Sequence, residues 1–360
     1  MGHYAVAAIV SMWAALVALT SLVVREAGWS RLRRYSLTIA CLALALLVLP
    51  GAAVVKLGLP YKDRILARLI RHHSPPVDLS GGCSVFPQDN VWNVRISGNP
   101  VDAKSQVYVQ SMGPNLPLHA DFGPVGGIPY GTTSGNQPIT DVTLLDGAAE
   151  SDRGPYRIPD DAPIEPGADS HVLIVDRGEC RLYELYGAAR TGSQQWRANS
   201  GAIFDLKSNQ LRPEGWTSAD AAGLPIFAGL LRYDEVKSGR ISHALRFSTP
   251  HTRRAFVWPA RHFASSSSDP NLPPMGQRFR LRGSFDLSRV TAEARVILNA
   301  LKEYGMFLAD NGGPWFLTGT PDSRWDSRTI SDLRSVSGSD FEAVDSSIMM
   351  IDRNSGQARR

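Results

Sequence analysis

The chain has 360 residues, of which 43% are hydrophobic and 20% charged, enough to build a large core in one to three domains. The formal net charge of +4 is uneven: residues 1–79 carry nine Lys or Arg against three acids, and the remainder carries 29 against 31. Because no basic excess remains downstream, the composition argues against a nucleic-acid partner.

Two N-terminal segments, residues 5–24 and 36–55, each contain 20 residues without a charge. Such a length matches the roughly 30 Å hydrocarbon core of a bilayer. The first segment lacks a basic start and a clear small-residue cleavage site, so we expect an uncleaved anchor over residues 1–60 rather than a signal peptide. The membrane, crossed by two spans, is therefore a predicted partner.

The three cysteines indicate the compartment. Cys41 lies in the second apolar segment, which leaves Cys83 and Cys180 for the rest of the chain. An even pair in a domain of this composition predicts a disulfide in an oxidising environment, although two unpaired buried thiols are the alternative. We therefore expect a cell-membrane protein whose soluble domain faces the periplasm or the exterior. Basic residues on both sides of the second segment leave the orientation open.

Composition shifts divide the chain further. Residues 61–82 combine a short amphipathic helix with a Pro- and Gly-containing linker, HSPPVDLSGG. A β-rich soluble domain is predicted over residues 83–345, and residues 346–360 are predicted to be a tail.

Secondary-structure signals within this domain are mostly those of short strands. A weak helix is predicted over residues 103–112, and residues 171–176 and 180–186 form a predicted hairpin. Residues 290–304 carry the apolar spacing of a helix, which Ser288 would cap. Asn311-Gly312-Gly313 predicts a second hairpin.

These elements predict a mainly β fold, a sandwich or a jelly roll, with one or two packing helices and two preceding transmembrane helices. Phosphate-loop, dinucleotide-binding, zinc-site and EF-hand patterns are absent from the sequence, as is G-x-S-x-G. No cofactor and no metal ligand are therefore predicted.

Acidic and aromatic residues are concentrated in residues 196–263. Carboxyl pairs cleave glycosidic bonds, and aromatic faces pack against sugar rings, so this stretch favours a polysaccharide or cell-wall glycan as the substrate. Asp205 follows an apolar run that could partly desolvate it, and Glu235 ends a strand-like run. We predict Asp205 and Glu235 as the carboxyl pair with His243 beside them. The predicted substrate-binding residues are Arg246, Trp216, Tyr233, His262 and Asp310.

The leading hypothesis is thus a membrane-anchored extracytoplasmic glycan hydrolase. A polysaccharide lyase is a variant in which His243 or Tyr233 removes a proton and Arg246 holds a uronate. A non-catalytic glycan- or protein-binding module needs the aromatic residues but no paired acids, and a structural membrane protein is a further alternative. Ordinary structural roles, such as turn formation by Glu235 and loop capping by Asp205, compete with each assignment.

Overall fold

The computed structural model describes residues 82–359, which form three β-sheets with short helices between the strands. In this part of the chain the strands are β1 (His119–Asp121), β2 (Gly131–Thr133), β3 (Asp141–Leu144), β4 (Val172–Asp176), β5 (Arg181–Tyr186), β6 (Ala189–Gly192), β7 (Gln195–Ala198), β8 (Ser200–Asp205), β9 (Leu245–Thr249), β10 (Arg278–Leu281), β11 (Met306–Asn311), β12 (Phe316–Thr318) and β13 (Phe341–Val344). The α-helices are α1 (Ser105–Met112), α2 (Ile226–Gly229), α3 (Tyr233–Lys237), α4 (Ala292–Glu303) and α5 (Ser327–Leu333). Short 3₁₀ turns follow at Ala148–Glu150, Gly338–Asp340 and Ser347–Met349.

The largest sheet has six strands in the order β1-β12-β9-β11-β10-β13. It is mixed, because β1 is parallel to β12 and β9 is parallel to β11, whereas the other neighbours are antiparallel. Strands β2-β4-β5-β8 form a second sheet, and β3-β7-β6 form a third. Central strands β4 and β9 are buried along their whole length, as expected for strands covered on both faces.

Helix α4 forms where its sequence predicts it. Ala294, Ile297, Leu298 and Leu301 are buried along one face, and each large side chain contributes roughly 1.5–3 kcal/mol by leaving water. The Thr291 hydroxyl accepts the first capping hydrogen bond from the Ala294 amide, so the N-cap is Thr291 rather than the predicted Ser288.

The predicted fold class is corrected in its architecture. The described residues are mainly β with few helices, as predicted. The parallel pairs β1–β12, β9–β11, β2–β4 and β3–β7 do not fit the predicted antiparallel sandwich or jelly roll. The predicted second hairpin is also wrong. Strand β9 lies between β11 and β12, so the strands on either side of Asn311-Gly312-Gly313 do not pair with each other. The hairpin of β4 and β5 is confirmed.

The membrane prediction is corrected as well. Among residues 82–359 no helix combines the length and the apolar character that crossing a bilayer requires. Residues 5–24 and 36–55, on which the two-span prediction depends, lie outside the described residues. We therefore carry neither the two transmembrane helices nor the membrane partner further.

Segment 346–359, which was predicted as a tail, is packed against the domain. Met349 and Ala358 are buried, and Ser355 and Gln357 form isolated β-bridges with Gln210 and Asn90. The apolar run that contains Met349 therefore contributes to the main core.

A disulfide joins Cys83 to Cys180, as predicted, and ties the start of the described chain to the turn before β5. Both residues are buried, and their sequence separation of 97 residues closes a long loop. A cross-link of this length removes much of the conformational freedom of the unfolded chain.

We expect replacement of both cysteines by serine to lower the free energy of unfolding by about 4 to 5 kcal/mol, the chain-entropy value for a loop of about 100 residues. Urea unfolding followed by fluorescence would measure the loss. Reductant should destabilise the native protein equally and leave the double variant unchanged. Equal stability of the two proteins without reductant would contradict this prediction.

Candidate functional site

Three neighbouring strands place polar residues in one row across the large sheet. Asp121 of β1 pairs with Thr318 of β12, and Leu317 pairs with Phe247 of β9, which puts Thr318 opposite Arg246. The Arg246 Nη1 group donates to the Thr318 hydroxyl at 2.9 Å. Because residues that face each other across strands share one side of the sheet, Asp121 and Arg246 lie on the same face.

A β-bulge brings Asp310 to this face. The register between β9 and β11 shifts between Leu308 and Asp310, so Asp310 pairs with Ser248. In a regular register without the bulge, Ala309 would lie opposite Ser248, and Asp310 would pair with Thr249 and point to the opposite face. The Asp310 Oδ2 atom therefore lies 3.8 Å from Nη2 of Arg246.

Arg246 is held mainly by Asp220, which lies in the segment before α2. The Nη2 group donates to Asp220 Oδ1 at 2.9 Å, and Nε donates to Oδ2 at 3.2 Å. The side chains are only 4% and 0% exposed. Such a two-bond pairing offsets the high cost of removing both charges from water.

Asp310 has a carboxyl group that titrates near neutrality. Burial and the neighbouring Asp220 carboxylate raise its pKa to about 7, while Arg246 and His171 oppose the rise. The carboxyl group is crowded by protein atoms, yet 31% of the side-chain surface still reaches solvent. Asp310 can therefore exchange a proton with a molecule outside the protein.

His171 stabilises the segment that carries Asp220. One ring nitrogen, Nδ1, contacts the Glu165 carboxylate, and Nε2 lies 3.1 Å from the carbonyl of Ala219. Burial is the largest single influence and disfavours a charged ring, but the hydrogen bond to Glu165 and the charges of Glu165 and Asp310 together outweigh it and raise the pKa of His171. Since both nitrogens face acceptors, the ring is held as a double donor.

Glu184 of β5 holds the other end of the same segment. Its two carboxylate oxygens accept from the backbone amides of Ile226 and Phe227, at 3.0 and 2.8 Å, where α2 begins. Burial raises the pKa of Glu184 to about 7, and the two amide hydrogen bonds limit this rise. The segment between residues 219 and 227 is thus anchored at both ends by buried side chains.

An aromatic stack lies in the neighbouring row of the sheet. His119 pairs with Phe316 across β1 and β12, and Phe316 pairs with Ser248, the partner of Asp310. The His119 and Phe316 rings are 3.9 Å apart and nearly parallel, and both are half-buried. Burial and the charge of Arg334 lower the pKa of His119, which favours a neutral ring.

Asp121 is the second exposed acid of this face. The residue as a whole is exposed, but protein atoms crowd its carboxyl group, and this desolvation raises its pKa. The charges of Glu165 and Asp169 raise it further, and Arg246 opposes the rise. The face thus combines two acids, Asp121 and Asp310, with a buried cation and a flat aromatic surface. We call it the Arg246 face.

The structure divides the predicted site residues among several places. Arg246 and Asp310 come together on the Arg246 face. Asp205 is exposed at the end of β8, where its carboxylate accepts from the Lys207 amide and caps a turn. No hydrogen bond or ion pair within residues 82–359 joins Asp205 to Glu235.

Glu235 belongs to a different buried cluster. It lies on α3, where its carboxylate is 3.0 Å from Arg232 Nε and 3.1 Å from His243 Nε2. Burial opposes ionisation, but the charges of Arg232 and His243 outweigh it and lower the pKa of Glu235. A carboxylate that Arg232 and His243 hold in its ionised form suits a structural role.

The other predicted substrate-binding residues, Trp216, Tyr233 and His262, make different contacts. The guanidinium of Arg212 lies over the ring of Trp216, and Tyr233 packs on Trp325 and beneath Arg324. His262 is nearer the site, since its Nδ1 atom lies 2.8 Å from the Ala221 carbonyl.

The sequence alone did not identify Asp121, His171, Glu184 or Asp220 as site residues. Asp220 lies within the acid- and aromatic-rich stretch of residues 196–263, so that signal pointed to its neighbourhood. The other three come from distant parts of the chain and have no local pattern. Among the described residues no group of three or more His, Cys, Asp or Glu is arranged to hold a metal ion.

Comparison with known proteins adds no relative. No family model matches the chain. Neither the curated proteins nor the solved structures contain a match. Functional inference therefore depends on the geometry of the Arg246 face alone.

We expect Asp220→Ala to lower the free energy of unfolding by about 3 to 5 kcal/mol, because it leaves the buried Arg246 charge without its partner. The matched control is Asp205→Ala, which removes an exposed turn cap and should cost at most about 1 kcal/mol. Urea unfolding of both variants would test the contrast. Equal losses would contradict the assignment of Asp220 as the partner that stabilises Arg246.

Glu235→Ala should likewise lower stability by about 3 to 5 kcal/mol at neutral pH, since Arg232 then lies buried without a carboxylate. The adjacent and exposed Asp234 provides the control, Asp234→Ala, with an expected loss below about 1 kcal/mol. Because the pKa of Glu235 is lowered in the folded protein, its stabilisation is present above its ordinary pKa near 4 and disappears as the pH falls through the lowered value. Unfolding curves between pH 3 and 7 should therefore converge for Glu235→Ala and the native protein at the acidic end.

Proposed function

We propose that this protein hydrolyses a glycan by acid–base chemistry on the Arg246 face, with Asp310 as the general acid. The observation that supports this most directly is the pKa of Asp310, about 7, on a side chain that remains 31% exposed. A carboxyl group of this kind is protonated at mildly acidic and neutral pH and accessible to a substrate, as proton donation to a leaving oxygen requires.

Arg246 would assist the acid after proton transfer. Once Asp310 has given up its proton, its carboxylate lies 3.8 Å from the Arg246 guanidinium, which stabilises the negative charge. The pairing with Asp220 and Thr318 keeps the guanidinium in place, so no reorganisation is needed during the reaction. Arg246 is therefore a positioning and electrostatic residue in this proposal.

Asp121 would be the second carboxyl group. Glycoside hydrolysis needs an acid on one side of the scissile bond and a base or nucleophile on the other. Asp121 shares the face of Asp310 and is exposed. Three strand-to-strand steps of about 4.8 Å separate β1 from β11, so the two side chains must lean towards each other to reach the carboxyl separation of about 6.5 to 9.5 Å that inverting hydrolysis requires. The stacked His119 and Phe316 rings, in the row beside it, offer a flat surface for the apolar face of a sugar.

The lyase variant has less support. It needs an arginine that is free to hold a uronate carboxylate. Arg246 is 4% exposed, and its guanidinium is already bound to Asp220 and Thr318. A binding module needs no carboxyl group with a pKa near 7, so the titration of Asp310 favours catalysis over binding alone. The Cys83–Cys180 disulfide supports an oxidising compartment, and we propose an extracytoplasmic location on that basis.

We expect Asp310→Asn to lower kcat/KM for glycan hydrolysis by a factor of about 10² to 10⁴, the usual contribution of a general acid. In the native enzyme kcat/KM should fall tenfold per pH unit above about pH 7, because the acid then loses its proton. Asp310→Asn should lose this alkaline limb. Release of reducing ends from soluble polysaccharides of hexoses, pentoses and hexosamines provides the assay.

The matched control is Asp205→Asn, which should keep the native rate and the native pH profile. Retention of more than a tenth of the activity by Asp310→Asn would disprove the role of Asp310. Absence of hydrolysis across the whole panel would contradict the proposed function itself.

A further inference from the structure

A cavity of about 460 Å³ lies away from the Arg246 face. It shares no residue with that face. Its walls come from residues 256–261, from the start of β10 and from the end of β13 with the segment after it. A volume of this size is within the usual range for small-molecule sites and accommodates one or two sugar rings.

Two buried polar groups of this cavity lack partners. Within residues 82–359, Nε of Arg261 and the hydroxyl of Ser346 are buried and form no hydrogen bond. Arg261 is 4% exposed and Ser346 is 9% exposed, and both line the cavity. An unsatisfied buried polar group costs about 1 to 3 kcal/mol, so a small shift of the cavity wall that brought a ligand oxygen to either group would recover part of that cost.

The other Arg261 donors fix its position. Nη1 donates to the carbonyl of Arg353 and Nη2 donates to Asn354, both at under 3 Å. The guanidinium is therefore held in place before any ligand arrives, while its Nε group has no partner among the described residues. Preorganisation of this kind lowers the entropic cost of binding.

The charges around the cavity balance. Arg261 and Arg278 line it together with Asp102 and Asp345, and Arg353 at the rim is paired with Glu214. Each of the three nitrogens of Arg278 donates to a backbone carbonyl, so the guanidinium is directed to the backbone rather than to a ligand. A balanced lining favours a neutral ligand over an anion or a cation.

Aromatic side chains complete the lining. Trp258 and Phe256 are half-buried, and Trp258 Nε1 donates to the carbonyl of Ser355, which fixes the orientation of the indole. A fixed aromatic face beside hydroxyl and carboxylate groups matches a sugar ring, which has one apolar face and a polar edge.

From these contacts we propose that this cavity is a non-catalytic binding site for a neutral sugar unit. The assignment of that sugar to a glycan substrate rests on the proposed function; the site itself does not.

The cavity is linked to the Arg246 face through Ala222, whose carbonyl accepts from the Arg261 amide and whose amide donates to the bulge residue Ala309. A glycan held in the cavity is therefore bound next to the segment that carries Asp220.

Isothermal titration calorimetry of the whole protein tests the proposal, with glucose, galactose, xylose and N-acetylglucosamine as neutral probes and glucuronate and glucosamine as charged ones. We expect at least one neutral sugar to bind with a Kd in the millimolar range or below, and its charged counterpart to bind at least tenfold more weakly. Ser346→Ala removes no hydrogen bond within the protein, and we expect it to weaken binding about threefold to tenfold.

Ser347→Trp should abolish binding, because Ser347 is exposed and lines the cavity. The matched control is Ile348→Trp at the next residue, which is 49% exposed and not part of the lining, and it should bind as the native protein does. Absence of neutral-sugar binding, binding that survives Ser347→Trp, or equal binding of glucuronate would each overturn the proposal. Asp310→Asn should keep the affinity, so a failure of the proposed hydrolysis and a failure of this site give different results.

Discussion

The buried pair of Arg246 and Asp220 is the interaction on which the described architecture of the site depends. A guanidinium at the centre of the large sheet is tolerated only while a carboxylate meets it with two hydrogen bonds. Because Asp220 must reach Arg246, the segment before α2 lies against β9. His171 and Glu184 then hold that segment through Ala219 and through the first amides of α2. The same segment places the Asp220 carboxylate near Asp310. Burial and this second carboxylate then raise the pKa of Asp310 to about 7.

Two carboxyl groups in this domain show how neighbours decide chemical character. Glu235 and Asp310 are both removed from bulk water to a large extent, and both lie near an arginine. Glu235 has Arg232 and His243 beside it and no competing acid within its cluster, so its pKa is lowered. Asp310 shares its arginine with Asp220, which takes the better geometry, so its proton is retained. Composition alone cannot distinguish such cases.

Local signals in the sequence predicted much of the secondary structure and few of the site contacts. The apolar spacing of α4, the hairpin of β4 and β5 and the Cys83–Cys180 pair were predictable because each depends on a pattern or a count. Placement of β9 between β11 and β12 was not, because strand order is decided by distant pairing. Asp205 was chosen for its apolar neighbours, but β8 ends at the surface there. Arg246 and Asp310 were predicted as substrate-binding residues, but their meeting requires a bulge that no local motif predicts.

That bulge has an evolutionary consequence. The side chain of Asp310 faces Arg246 because β11 accommodates Ala309 as a bulge, so that Asp310 and not Ala309 lies opposite Ser248. Loss of the single codon for Ala309 would remove the bulge and leave Asp310 opposite Ser248, whereas one further codon before Asp310, with no wider bulge, would turn this carboxylate towards the other side of the sheet. Relatives that have lost this residue would therefore keep the carboxylate on the Arg246 face, and those that have gained one would lose it with every acidic residue retained.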